Sequence, residues 1–421
     1  MSDASTVTTF PSDFNRDPFP LLRDLRESGP VVQVSLPDGL GITRWLITRY
    51  DDAVAALGDP RLSNGIDAPL RDIDDPASLP PRVQVLLRTS ELLGRAMANM
   101  DPPGHTRLRK LAVPAFNARR MEGLRPRVRQ ITGELLGTVA GRPEFDLVET
   151  LAMPLPVRVV CELLGVPARD GQVFRDASKV LAGYLPDDET ALASIRDLDA
   201  FEKHIRALIA ERRARPADDL LSDLIQARAD GRRLTDEELV AMAGLLIFAG
   251  HETTVQMICN AMIALLGDPD QLAAVRADHG LLPAVVEETL RFDGPANPGL
   301  MRYATEDVEI GGVLIPRGAC VIVATAAANR DPRVFRDPDR FDITRAFPAP
   351  HLAFGHGIHY CLGARMAKIE GEIAIGALLD RYPGLRLGCA VEELRWRPGL
   401  LRATVELPLQ AGPSQKGSAH E

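Results

Sequence analysis

The chain has 421 residues, 45% hydrophobic, 25% charged and 5% aromatic, a globular mixture with enough apolar material for a large core. A formal charge of -9 disfavours nucleic acid as the main partner, because duplex binding needs a basic face that displaces counterions. Five cysteines without a C-x-x-C pair, in a chain far too long to need a disulfide framework, fit a reducing cytoplasm.

The N-terminal segment MSDASTVTTFPSDFNRDPFP lacks the basic start and apolar stretch of a signal peptide. No segment offers the roughly 18 uninterrupted apolar residues of a membrane span. Residues 1–13 are expected to be flexible, and the polar end 410–421 is expected to be a disordered tail. Between residues 30 and 50, VVQVSL and RWLITRY alternate apolar and polar types around PDG, which predicts a β-hairpin. From about 51 to 290 the pattern is mostly helical, with clear periods at 119–140, 157–165, 190–214 and 236–266. A β-rich patch follows at 302–325, broken by Gly311, Gly312 and Gly318, then an irregular Pro/Asp/Arg stretch at 329–353. The fold class is therefore mainly α with small β-sheets (α+β).

After the irregular stretch comes the loop Phe354-Gly355-His356-Gly357-Ile358-His359-Tyr360-Cys361-Leu362-Gly363, which opens an amphipathic helix. A helix N-terminus with exposed backbone N–H groups stabilises an anion, so Cys361 can be held as thiolate there. The glycines let the backbone approach a flat ligand where a Cβ would collide. The plainer alternative is a structural cysteine in a turn, which is the expectation for Cys161, Cys259, Cys320 and Cys389. A zinc site built on His356, His359 and Cys361 lacks a fourth ligand. The loop resembles the haem-binding loop of the cytochrome P450 family, F-x-x-G-x-H/R-x-C-x-G, and meets every fixed position. The resemblance implies Cys361 as axial ligand of haem b iron, with Phe354, Gly355 and Gly363 forming the loop against the cofactor. A thiolate ligand pushes electron density towards bound oxygen and favours O–O cleavage.

Residues 236–266 are apolar on nearly all sides, as in a helix buried through the molecule, yet carry Ala249-Gly250-His251-Glu252-Thr253-Thr254 at their centre. Glycine and a carboxylate in an apolar helix are a local conflict, and such conflicts mark function. A hydroxyl beside a carboxylate makes a proton relay, although a Thr bonded to its own backbone is the bland alternative. The segment resembles the family's A/G-G-x-D/E-T-T signature, which implies relay roles for Glu252 and Thr253 and an oxygen groove at Ala249 and Gly250. His251, at the variable position, receives no role.

Three further matches stand in family order. Glu288-Thr289-Leu290-Arg291 resembles the E-x-x-R motif, which implies a structural pair. Residues 101–109 resemble the H-x-x-x-R helix that crosses a haem edge. This implies that His105 and Arg109, together with Arg302 and His359, bind the propionates, which need charge-assisted partners when buried. By the same resemblance residues 14–409 form a single haem-enclosing domain. The substrate pocket draws on 85–99, the 172–190 connection, Leu246, Ala249, the 296–300 turn with Pro298 and Leu300, and Leu400 and Leu401.

The implied reaction is insertion of one atom of O2 into a hydrophobic small molecule by hydroxylation or epoxidation. Because the chain shows no flavin or iron-sulfur region, electrons must come from NAD(P)H through an external ferredoxin and ferredoxin reductase. Arg107, Lys110, Arg365 and Lys368 are candidate cations for that contact. Within the family the chain looks most like actinobacterial members that tailor macrolides and other polyketides, and a cytoplasmic monomer is expected. A peroxide-using peroxygenase and a catalytically silent recruiter are the rivals. The paired Glu252 and Thr253 speak against the first, and retention of Cys361 against the second.

Overall fold

A computed structural model describes residues 7–37, 41–65, 79–167, 170–181, 188–228, 231, 233–399 and 401–412. The predicted hairpin forms from Val31–Ser35 and Thr43–Ile47, antiparallel with Val31 opposite Ile47 and Ser35 opposite Thr43. Its Asp38-Gly39 turn lies outside the described residues. Thr43–Ile47 then pairs in parallel with Cys320–Val323, which in turn pairs antiparallel with Leu300–Ala304, so the two β-rich patches merge into one sheet. Gly311 and Gly312, at φ 56° and 79°, turn the chain between the strands Val308–Ile310 and Val313–Ile315, where a residue with a Cβ would be strained.

Proline sets the helix boundaries. The single helical period expected at 119–140 is in fact two helices, Ala118–Gly123 and Arg125–Gly137. The break falls at Leu124 because Pro126 has no amide to donate and suits only the first turn of the second helix. Pro154–Leu163 likewise starts earlier than its period suggested, with proline tolerated in its first turn.

The helix Asp236–Leu266 is capped by a reciprocal box in which the Thr235 hydroxyl accepts from Glu238 N and the Glu238 carboxylate accepts from Thr235 N. By length and composition it could cross a membrane, but 72% of its most apolar window is buried inside the protein. It packs against Pro154–Leu163, Leu282–Asp293 and Ala364–Arg381 and forms the spine of the largest apolar cluster.

The described residues nearest each end depart from expectation. Thr8–Thr9 adds a parallel strand beside Val34–Ser35, and Phe10, only 1% exposed, stacks on Phe14 at 4.3 Å. Burial of that ring anchors the segment that was expected to be flexible up to residue 13. At the other end Pro408–Gln410 pairs with Glu144–Asp146, and Ala411 N donates to Pro143 O at 2.9 Å. Order therefore reaches past residue 410, and residues 413–421 lie outside the described set.

Glu288 and Arg291 form a bidentate pair at 2.7 Å with both side chains at 0% exposure. Arg291 also donates to the carbonyls of Asn329, Pro338 and Arg340, and Glu288 accepts from Asp342 N and Arg345 Nε. The irregular 329–353 stretch is thus ordered by side chains in place of a ladder. Removing Glu288 leaves the buried Arg291 without a counter-charge, a cost of about 3–5 kcal/mol, while removing Arg291 leaves Glu288 with Arg345 alone, a smaller cost. Glu288→Ala and Arg291→Met are each expected to lower the urea midpoint of unfolding by a corresponding amount. A midpoint unchanged from wild type would contradict this.

Candidate active site

The cysteine loop closes on itself. Cys361 N donates to Phe354 O at 2.9 Å and Gly355 N to Leu352 O at 2.9 Å, while Gly355 and Gly357 take φ values of 73° and 69° that a side chain would resist. Gly363 ends the loop and precedes the helix Ala364–Arg381. Cys361 keeps exposed surface. Desolvation by the surrounding protein pushes its thiol pKa up, and the backbone amides of Gly363 and Ala364 and the charge of Arg109 act the other way. Arg109 Nη2 donates to Tyr360 O at 2.8 Å, which fastens the helix Gly104–Ala112 to the loop. Phe354 sits between His351 at 5.7 Å and Tyr360 at 6.1 Å, centroid to centroid.

Beside this loop the structure gathers basic groups from distant elements. The rings of His105 and His359 lie 4.1 Å apart, and neither nitrogen of His105 nor Nε2 of His359 has a hydrogen-bond partner among the described residues. Burial lowers the pKa of both, His359 to about 4. Arg302 is 5% exposed, donates to its neighbour's carbonyl Met301 O at 2.7 Å, and is lowered by burial to about 10, with Asp101 opposing. Buried donors are normally satisfied. Unmatched imidazoles and a buried guanidinium that bonds its neighbour's carbonyl, beside a glycine-lined loop, therefore fit an anionic, flat guest, and the two carboxylates of haem are such a guest.

On the long helix, Thr253 Oγ1 donates to Ala249 O at 2.8 Å and Thr254 Oγ1 to Gly250 O at 3.3 Å. Thr253 thus makes the backbone hydrogen bond of the bland alternative, while its oxygen can still accept another. Ala249 and Gly250 are exposed although the helix around them is buried, and a Cβ on Gly250 would meet only Val160, at 3.7 Å. Glu252 is 1% exposed and neither carboxylate oxygen has a hydrogen-bond partner within 3.5 Å among the described residues. Its nearest charged or titratable neighbours are Arg397 Nη1 at 3.6 Å and His251 Nε2 at 3.7 Å. Burial raises the Glu252 pKa and Arg397 draws it back. His251, against Met153 Sδ at 3.3 Å, is lowered by burial to about 3 and is neutral.

Sequence reasoning missed Arg397, which stands in the strand Trp396–Arg397, and assigned nothing to His251. No local pattern could have found Arg397, because only the folded chain brings it to Glu252. Of the pocket residues, Leu246, Leu300 and Leu401 keep exposed surface, and Leu401 bridges to Ala296. Pro298, in contrast, is buried beneath the turn, where its carbonyl accepts from Ala326 N at 3.3 Å, so it supports the turn and does not present a face. Leu400 lies outside the described residues. Of the candidate docking cations, Arg107 is engaged within the fold and only partly exposed. It pairs with Glu238 in the first turn of the long helix, because a half-buried guanidinium next to that carboxylate gains more from pairing than from solvent. Arg365 pairs with Glu122 at 2.8 Å and Lys368 with Glu287, both in the wall of a cleft behind Cys361.

Comparison with known proteins agrees with this geometry. The family profile described as Cytochrome P450 matches residues 188–385. PikC, a cytochrome P450 monooxygenase of Streptomyces venezuelae, is 44% identical over 94% of this chain and 92% of its own. The 6-deoxyerythronolide B hydroxylase of Saccharopolyspora erythraea is 43% identical over 96% of this chain and 99% of its own. Among solved structures, the tirandamycin C-bound P450 monooxygenase TamI superposes with a TM-score of 0.85 at 40% identity, covering 96% of this chain and 100% of that one. A loop-held cysteine, a basic anion cradle and a carboxylate-bearing central helix define a haem-thiolate oxygenase. The chain belongs to the cytochrome P450 family. It is a monooxygenase that uses haem b, O2 and electrons passed from NAD(P)H by redox partners to oxidise a small hydrophobic substrate.

The neutral state of His251 has a consequence for stability. A histidine lowered to about 3 in the fold binds fewer protons than the unfolded chain between its ordinary 6.5 and that value. Stability therefore falls as pH drops through this window, by at most about 1.4 kcal/mol per pH unit. The raised pKa of Glu252 has the opposite sign, with stability lost as pH rises above the ordinary carboxylate range. His251→Gln removes the first contribution alone. Its thermal midpoint is expected to fall less than that of wild type between pH 6.5 and 4, and parallel curves for the two proteins would refute the assignment.

Proposed function

We propose that this chain is a cytoplasmic, monomeric monooxygenase of secondary metabolism that hydroxylates or epoxidises a macrolide-type polyketide, fed by a ferredoxin and its reductase. The observation that carries the class of reaction is the buried carboxylate Glu252 next to Thr253, on the exposed Ala249-Gly250 step of an otherwise buried helix. Support for the substrate comes from relatives whose names denote macrolide chemistry, together with the apolar faces of Leu246, Leu300 and Leu401.

In this reading residues 14–409 enclose the cofactor as one domain, with Cys361 as axial ligand of its iron. Phe354, Gly355 and Gly363 shape the loop against it, and His105, Arg109, Arg302 and His359 hold its carboxylates. Glu288 and Arg291 brace the loop from behind. When bound, the haem supplies reductive cleavage of dioxygen, a reaction that consumes two electrons and two protons and delivers one oxygen atom to substrate and one to water. The chain supplies the path for the protons. Glu252, whose pKa is raised by burial against the pull of Arg397, is the group that holds and passes a proton, and Thr253 Oγ1 can accept a hydrogen bond on the side its backbone bond leaves open. Ala249 and Gly250 leave room beside that hydroxyl.

A peroxygenase would have no use for this relay, since peroxide already carries reduced oxygen. Peroxide-driven turnover equal to turnover with ferredoxin would favour it, and failure to bind haem at all would favour a silent recruiter.

Wild type reduced with dithionite and treated with carbon monoxide is expected to show the red-shifted Soret band of thiolate-bound haem, and Cys361→Ser is expected to lose it. Glu252→Gln should slow coupled turnover by about 10²-fold, the low end for a positioned proton donor. Thr253→Ala should keep the band while NADPH is diverted to peroxide. Product formed per NADPH consumed checks both, and unchanged coupling in Thr253→Ala would take the hydroxyl out of the relay. Titration with a macrolactone should shift the ferric haem towards high spin, and a response to fatty acids but not to macrolactones would move the substrate assignment.

A further inference from the structure

Glu252 comes from the middle of the chain and its cation from near the end. Arg397 reaches it from the hairpin of Trp396–Arg397 with Ala403–Thr404, and keeps 17% of its own side chain exposed where Glu252 keeps 1%. The guanidinium therefore spans from the surface to the buried carboxylate.

Its backbone is fastened on both sides. Asn15, 4% exposed, donates through Nδ2 to the carbonyls of Arg397, Gly399 and Leu401 at 2.8, 3.0 and 3.1 Å. Arg402 Nη1 donates to Asn15 O at 2.6 Å, and Arg402 Nε to Asp293 Oδ1 at 2.9 Å. On the far side Thr404 N donates at 3.0 Å to Gln256 Oε1, one turn beyond Glu252 on the long helix. The hairpin is thus registered against the same helix that carries the carboxylate.

We infer that Arg397 is a positioning residue for oxygen activation, holding the Glu252 carboxylate on the long helix beneath a guanidinium that reaches the surface and biasing it towards its charged form. At 3.6 Å the contact is long for a hydrogen bond, and the guanidinium acts on the carboxylate first through its charge. The other titratable groups around it do not compete. His251 is neutral, and Cys259, on the same helix, has its thiol pushed up to about 12 by burial. Asp146, on the strand Glu144–Asp146, faces Cys259.

This inference rests on the relay role proposed for Glu252, and the test separates the two. The infrared carbonyl band of protonated Glu252, identified by its loss in Glu252→Gln, is titrated against pH in the ferric, substrate-free holoenzyme, and product per NADPH is followed over the same range. Arg397→Gln is expected to raise the band's midpoint by about 1–3 pH units, as loss of an adjacent opposite charge should, and to move the pH profile of coupling with it. Arg397→Lys, which keeps the charge on a shorter reach, should restore most of both. A midpoint and coupling profile unmoved in Arg397→Gln, with Glu252→Gln still uncoupled, would overturn the inference and leave the relay standing. Coupling unchanged in Glu252→Gln would overturn the relay and the inference together. If Arg397→Gln fails to take up haem, Arg397→Lys decides alone. A smaller upward shift supports the role, and a lowered thermal midpoint without any shift reduces Arg397 to a structural part.

Discussion

The cysteine loop hangs from the buried Glu288–Arg291 pair. Arg291 gathers the carbonyls of Asn329, Pro338 and Arg340, and Asn329 in turn accepts from Leu352 N through its side chain at 2.7 Å. Leu352 O then accepts from Gly355 N, at the start of the loop that carries Cys361. An irregular segment cannot satisfy its own backbone, so the fixed fork of one guanidinium takes the part that a ladder plays elsewhere. Because the pair is fully desolvated, it adds little net stability compared with apolar packing, but it allows one arrangement of the segment and penalises any other.

The same exchange of stability for geometry recurs on the other side of the loop. The buried ring of His105 and Nε2 of the half-buried His359 have no hydrogen-bond partner among the described residues, and Arg302 is buried with only a backbone carbonyl to bond, a cost that a chain optimised only for folding would avoid. A dianionic guest turns that cost into binding free energy, so cofactor and fold stabilise each other by linkage. Gly104–Ala112, Leu300–Ala304 and the cysteine loop each contribute part of the cradle, and none of them could form it alone.

Much of this was legible wherever chemistry and chain proximity coincide. The loop Phe354–Gly363 and the helix Asp236–Leu266 were read within their observed bounds, because both are continuous segments whose glycines, caps and apolar periods are local signals. What escaped is long-range. The parallel pairing of Thr43–Ile47 with Cys320–Val323, the anchoring of Thr8–Thr9 and Phe10, the pairing of Arg107 with Glu238 and the approach of Arg397 to Glu252 all depend on segments far apart in the chain. The split of the 119–140 period was visible in Pro126, but the apolar period outweighed it.

The central helix then explains why its charge partner must come from elsewhere. A helix buried on nearly all faces cannot place a basic residue a turn away from Glu252 without burying a second charge against the apolar neighbours that make it the spine of the fold. His251 shows the limit of what the helix itself can offer, since burial keeps it neutral. A cation delivered from a surface hairpin keeps part of its side chain in water and is spared full desolvation. Burial alone would fix Glu252 as a neutral acid, and a full salt bridge would fix it as a carboxylate. One partly solvated arginine at 3.6 Å acts against the burial that raises the Glu252 pKa, so neither influence acts on the carboxyl alone.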